Sequence, residues 1–191
     1  MEVENAMNDL QDYANRVDES SLSQNISMLN SDQLRIFNKI TESLQNGTRI
    51  RTFMSGFGGT GKSLLIKTIV QWNKIVRNKY VAVAAPTGIA ALAVDGSTAH
   101  RLLSLPVERD DGTLKYKSLS NAARKRIRES FKNVDLIIID EASMISNVIL
   151  MFIHFRLTEI FDTSDTENGF FGNVNILLCG DLLQLPPVKE G

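Results

Sequence analysis

Ile50-Arg51-Thr52-Phe53-Met54-Ser55-Gly56-Phe57-Gly58-Gly59-Thr60-Gly61-Lys62-Ser63 is the stretch whose reading decides the fold. Gly56 to Ser63 follows G-x-x-x-x-G-K-[ST], the pattern of a phosphate-binding loop. The flanks suit it: Ile50 to Ser55 reads as a buried strand and Ser63 to Asn78 as a helix. Gly56, Gly58, Gly59 and Gly61 let the backbone curl so that successive N–H groups face phosphate oxygens. The helix N-terminus adds a partial positive charge. Lys62 is placed for the β- and γ-phosphates and the Ser63 hydroxyl for Mg²⁺. With Thr60, these are the candidate nucleotide-binding residues. The alternative is a Gly-rich turn joining strand to helix.

Upstream, Asn30 or Ser31 can cap a helix in which Leu34, Phe37, Ile40 and Leu44 recur at helical spacing, ending at Gly47. Gln33 has two readings. It can close a capping box on Asn30, or its amide can pair with the donor–acceptor edge of adenine. The first twenty residues carry six acids against Arg16 alone. Residues 1–28 therefore read as a loosely ordered acidic lead-in. That charge is the wrong sign for a mitochondrial presequence, which favours the nucleus over the mitochondrion.

Downstream, Leu65, Ile69, Trp72 and Val76 form the inner stripe of the helix after the loop, with Trp72 a core residue. Tyr80 to Ala85 and Val134 to Ile139 are continuous apolar strands, as a parallel sheet covered on both faces requires. A third follows at Val174 to Cys179. The lone Cys179 reads as a small buried hydrophobe. Ser143 to Asp162 reads as one long helix, in which His154 is structural. Residues 105–120 read as a small irregular insertion, with a turn at Asp110-Asp111-Gly112. The basic helix from Asn121 to Asn133 is either a solvated face or a phosphate-backbone contact.

Alternating strands and helices predict an α/β fold: a parallel β-sheet with helices on both faces, of the phosphate-loop NTPase type. In such sheets ligands bind beyond the carboxyl ends of the strands. Four ends here are polar: the phosphate loop, Pro86-Thr87-Gly88, Asp140-Glu141, and Gly180-Asp181 with Gln184. Asp140 suits the acid that holds the Mg²⁺ hydration shell, and Glu141 a general base for the water attacking a γ-phosphate. Gln184 can donate to that phosphate and release it. A GTPase base-reading N-K-x-D follows none of the Asn-Lys pairs at 38, 73 and 78, and a transporter-type L-S-G-G-Q is absent.

The totals agree. The chain has 191 residues, 43% hydrophobic and 23% charged, enough for one sizeable core. Net charge is −1, so nucleic acid can be attracted only by a local patch. No apolar run reaches membrane-spanning length, so no membrane partner is expected.

Leu29 to Gln33, Gly56 to Ser63, Pro86-Thr87-Gly88-Ile89-Ala90-Ala91, Gly96 to Leu102, Asp140-Glu141-Ala142-Ser143-Met144, and Phe171-Gly172 through Gly180-Asp181-x-x-Gln184-Leu185-Pro186-Pro187-Val188 together resemble the petite-integration-frequency (Pif) family of DNA helicases. The resemblance covers about 29–188. It implies a RecA-like domain of superfamily 1, with ATP and Mg²⁺ as cofactors and 5′-to-3′ movement on single-stranded DNA. It implies that Gln33 reads adenine and that Pro86, Thr87, Gly88, Thr98 and His100 lie on the DNA strand. It places a strand-separating wedge at 105–120, puts Asn173 where a glycine is expected, and calls for a second RecA-like domain, absent here, to complete the ATP site with arginines. The alternative is a truncated, non-catalytic module that binds ATP or single-stranded DNA.

Overall fold

The structure is a computed structural model and describes residues 2–16, 18–107 and 114–184. In chain order the elements are α1 (Glu2–Asn15), α2 (Glu19–Met28), α3 (Ser31–Gln45), β1 (Arg51–Ser55), α4 (Lys62–Arg77), β2 (Tyr80–Ala85), α5 (Gly88–Ala93), β3 (Ser97–Thr98), α6 (Ala99–Leu103), α7 (Asn121–Ser130), β4 (Val134–Ile139), α8 (Asn147–Phe161) and β5 (Asn175–Gly180). Short 3₁₀ turns occupy Ala142–Met144 and Phe170–Asn173. The strands form one sheet in the order β1-β5-β4-β2-β3, every pair parallel. This is the expected RecA-like α/β architecture, with helices on both faces. Val81 to Ala85 and Leu136 to Ile139 are buried throughout, which is why those strands are apolar without alternation.

Four sequence readings need correction. Residues 2–28 are not a loose lead-in, because α1 and α2 fill most of them. Val3, Ala6, Met7, Leu10 and Ala14 recur three and four apart on α1 and are all buried. That stripe packs α1 against α6, α7 and β2, and Asp9 pairs with Arg101 at 3.0 Å. The acids that suggested disorder lie on the outer face, and Glu2 and Glu4 also complement the dipole of the first turn. On α2, Asp18 and Ser21 form a capping box, and the Asn25 amide donates to Gln71 on α4 at 2.8 Å.

β1 is an edge strand rather than a buried one. It pairs only with β5, and of its five residues only Met54 is buried. The helix expected from Ser143 is broken: a 3₁₀ turn ends at Met144, and Ser146 caps α8 by accepting from the Ile149 N–H at 3.2 Å. Val76 and Leu34 face outward, because α4 and α3 turn their stripes toward each other through Leu65, Ile69, Trp72 and Phe37. Trp72 is core, edge-on to Phe37 with ring centroids 6.3 Å apart. Cys179 is fully buried, and that burial pushes its thiol pKa up.

His154 is structural. Its Nδ1 accepts the Phe171 N–H at 3.0 Å and holds the turn that feeds β5. Asn173 sits at φ +57°, a left-handed conformation that asparagine tolerates, so it can stand where glycine was expected. The Asp110-Asp111-Gly112 turn and Leu185 to Val188 lie outside the described residues.

Candidate functional site

The phosphate loop leaves β1 at the carboxyl rim of the sheet. The Gly56 N–H donates to Gly180 O at 3.1 Å, joining the ends of β1 and β5. Gly59 and Gly61 adopt φ +76° and +77°, the left-handed values that aim consecutive N–H groups into one concavity. Gly61 is the N-cap of α4 and offers no side chain, so the first N–H groups of that helix are left for a ligand. Residues 57–61 are exposed, so the loop is not sealed in the core.

The loop's charged and polar neighbours currently bond to the loop itself. Lys62 Nζ donates to Gly56 O at 2.8 Å and Phe57 O at 3.1 Å. Gln33 does two jobs at once. Its Oε1 accepts the Asn30 N–H at 2.9 Å, closing the capping box, while its Nε2 donates to Thr60 O at 2.8 Å. A Cβ on Gly61 would lie 2.5 Å from that Nε2, so the amide rests directly on the loop. The capping reading is realised, and the same amide also lies beside the phosphate loop.

Asp140 ends β4 next to the loop. Its N–H donates to Ala84 O at 2.8 Å, and the residue is 4% exposed. Oδ1 is buried without a partner, as is Ser143 Oγ in the turn that follows. Burial raises the Asp140 pKa. A hydrogen bond from the Glu141 N–H opposes that, the Glu141 charge adds to it, and Lys62 opposes it. Lys62, Asp140 and Glu141 therefore share one local field. Glu141 sits at φ +50° and ψ +39°, a left-handed conformation that costs a residue with a Cβ about 1–2 kcal/mol. Such strain concentrates where a side chain must be aimed.

β5 delivers the last group. Asp181 is 5% exposed. Its Oδ2 accepts the Gly58 N–H at 3.1 Å and its Oδ1 the Leu183 N–H at 3.0 Å. The Gln184 amide lies against Gly58, where an added Cβ would meet its Nε2 at 2.5 Å. Gln184, Glu141 and Thr87 line one cleft of about 750 Å³, together with Ile89, Ala90 and Met144.

The other strand ends share this rim. Pro86-Thr87-Gly88 follows β2, and Thr87 caps α5 by accepting the Ala90 N–H at 3.2 Å. Thr98 is in register with Ala85, caps α6, and brings His100 onto the first turn of that helix. The structure thus sets Gln33 and Gln184 against the phosphate loop and puts Glu141, Gln184 and Thr87 on one cleft, with Asp140 at the end of β4, and Thr98 at the end of β3 and His100 just after it at the same end of the sheet. The sequence reading gave Asp181 and Ser143 no role. The visible signal was only an acid after Gly180 and a hydroxyl after Asp140-Glu141.

A family model described as PIF1-like helicase matches residues 28–191. The chain belongs to the PIF1-like helicase family. It is 33% identical over 147 residues to the ATP-dependent DNA helicase PIF1 of Saccharomyces cerevisiae, which covers 76% of this chain and 16% of that protein. Among solved structures, two coordinating Pif1 helicases on forked double-stranded DNA superpose with a TM-score of 0.68 at 31% identity, covering 85% of this chain and 35% of the other. Pif1 from Bacteroides, in complex with ADP-AlF3 and single-stranded DNA, gives a TM-score of 0.66 at 30% identity, with 85% and 34% coverage. The chain therefore spans about a sixth of that curated Pif1 relative and about a third of the solved Pif1 chains.

Proposed function

We propose that this chain is the first RecA-like motor domain of an ATP-dependent DNA helicase, coupling ATP hydrolysis to 5′-to-3′ movement along single-stranded DNA. The observation that carries the proposal is the single rim on which an exposed phosphate loop meets Asp140, Glu141 and Gln184. Lys62 leaves its carbonyl partners for the β- and γ-phosphates, and the N–H groups of the loop and of α4 take the remaining phosphate oxygens. Glu141 orients the attacking water and takes its proton. Gln184 contacts the γ-phosphate, and Gln33 keeps its cap while its amide borders the adenine.

Mg²⁺ fits the donors present. Asp140 Oδ1 is a buried oxygen without a partner, and Ser63 opens α4 beside the loop. Such an ion is held by one or two protein oxygens, waters and phosphates. When bound, it spreads the charge of the transferred phosphoryl group. Pro86, Thr87, Gly88, Thr98 and His100 form the DNA track, with the imidazole stacking on a base for about 1–3 kcal/mol. Arginines from a second RecA-like domain complete the ATP site, a contribution of about 10³–10⁵ in rate. DNA repair, recombination and telomere maintenance in the nucleus are the processes proposed for the whole protein, with 105–120 as its wedge.

The test is ATP binding and hydrolysis, with and without single-stranded DNA, on this chain and on a version extended into a second RecA-like domain. Lys62→Ala should abolish nucleotide binding, and DNA should stimulate hydrolysis by the extended protein. Unchanged nucleotide binding by Lys62→Ala would refute the proposal. Tight ATP binding with no DNA-stimulated hydrolysis in either version would favour the non-catalytic module.

A further inference from the structure

The Asp181 carboxylate bonds both the phosphate loop and the turn carrying Gln184. It is almost fully buried, and each oxygen accepts one backbone N–H: Gly58 from the loop and Leu183 from the turn. The Gln184 N–H returns to Asp181 O at 3.0 Å, closing the turn on the same residue. Gly58 is therefore gripped from both sides of its peptide unit, by the carboxylate on its N–H and by the Gln184 amide against its Cα. A hydrogen bond to a charged acceptor is stronger than a neutral one, and in a buried setting the geometry it fixes is hard to lose.

We propose that Asp181 is a positioning residue that holds Gln184 in register with the phosphate loop, so that the protein distinguishes a nucleoside triphosphate from a diphosphate. This rests on the nucleotide-binding reading given above. Asp181 touches no phosphate itself. It fixes the distance between the loop, which binds both nucleotides, and Gln184, which meets only the third phosphate.

The substitution that isolates this role is Asp181→Asn. An amide has one acceptor oxygen, so Gly58 and Leu183 compete for it, and the amide nitrogen faces a donor. Loss of one charge-assisted bond corresponds to about a tenfold change in an equilibrium. Removing a negative charge beside the loop would by itself improve triphosphate binding, because the triphosphate carries more charge. The two effects therefore have opposite signs, and the measurement separates them.

The experiment is titration calorimetry of the whole chain with ADP and with an imido-bridged ATP analogue, both in excess Mg²⁺, on wild type, Asp181→Asn, Gln184→Ala and the double variant. Thermal unfolding is followed in parallel. We expect ADP affinity within about twofold of wild type in all of them. The preference for the triphosphate should fall about tenfold in Asp181→Asn. The double variant should lose no more than Gln184→Ala alone, because both substitutions break one link. Gly58→Ala provides a second route should Asp181→Asn fold poorly: its Cβ displaces the Gln184 amide while leaving the carboxylate in place, and it should lose the same preference. A triphosphate preference that is unchanged or increased in Asp181→Asn overturns the inference while the nucleotide reading stands, as does an equal weakening for both nucleotides. Failure of the wild-type chain to bind either nucleotide overturns both.

Discussion

Replacing Asp140 by asparagine should make the protein more stable and less able to use magnesium. The residue is 4% exposed, Oδ1 has no partner, and burial raises its pKa above the ordinary value of 3.8. A raised acid pKa means that the folded state holds its proton more tightly than the unfolded chain. Between 3.8 and the raised value the folded state carries more bound protons, so stability falls as pH rises through that window. At neutral pH the ionised carboxylate is a buried, under-satisfied charge, and such a group costs about 1–3 kcal/mol. Asp140→Asn removes the charge and keeps an oxygen for the Glu141 N–H. We therefore expect a gain of about 1–2 kcal/mol at pH 7, or about 2–8 °C in Tm for a chain of this size. The gain should shrink on acidification and vanish below the unfolded value. Urea unfolding from pH 3 to 8, followed by circular dichroism, measures it. Addition of Mg²⁺ with ATP should stabilise wild type more than the variant. A variant less stable than wild type at pH 7, or a difference that does not change with pH, would refute the assignment of Asp140 as a desolvated carboxylate awaiting a cation.

Leu10→Ala tests whether α1 belongs to the core. A buried leucine there should cost about 2–5 kcal/mol in urea unfolding, against less than about 0.5 for a solvated tail. Arg156 on α8 is 1% exposed, pairs with Glu159 at 2.9 Å, and donates to Ser104 O and Lys117 O, each at 2.9 Å, tying the residue before the insertion to its C-terminal part. Arg156→Ala should cost about 3–5 kcal/mol, and limited proteolysis should then cut first between residues 104 and 120. Gly172 sits at φ +65° with Leu157 O against the position a Cβ would take, whereas Gly47, at φ +70°, has open space. Both alanine variants pay about 1–2 kcal/mol for the left-handed backbone, but Gly172→Ala should lose about 1–3 kcal/mol more in thermal unfolding.

β2, β4 and β5 were legible because each carries a continuous apolar run, whereas β3, Ser97–Thr98, has none and was not read as a strand. Tyr80–Ala85 and Val134–Ile139 cannot be read as solvated alternation, and the strand ends then announce themselves by Pro86, Asp140 and Gly180. The phosphate loop was legible for a local reason: its glycines and its Lys-Ser pair serve a conformation contained within eight residues. α1 was misread because composition and periodicity disagree there, and the acids outvoted the apolar stripe. β1 was misread because whether a strand lies at an edge depends on which partners the sheet order supplies, and no window of sequence contains that information.

The sequence by itself determined the class of fold, the order of its central strands and of the helices from α3 to α5, and the chemical types waiting at the strand ends, because those follow from short-range periodicity and turn chemistry. Tertiary structure alone decided that Gln33, 27 residues before Thr60, rests on the loop, and that Asp181, 123 residues after Gly58, holds it from the other side. Parallel pairing of β1 with β5 brings those distant backbones within hydrogen-bonding reach. That pairing sets an exposed edge strand against the buried β5, and it leaves no mark on either segment alone.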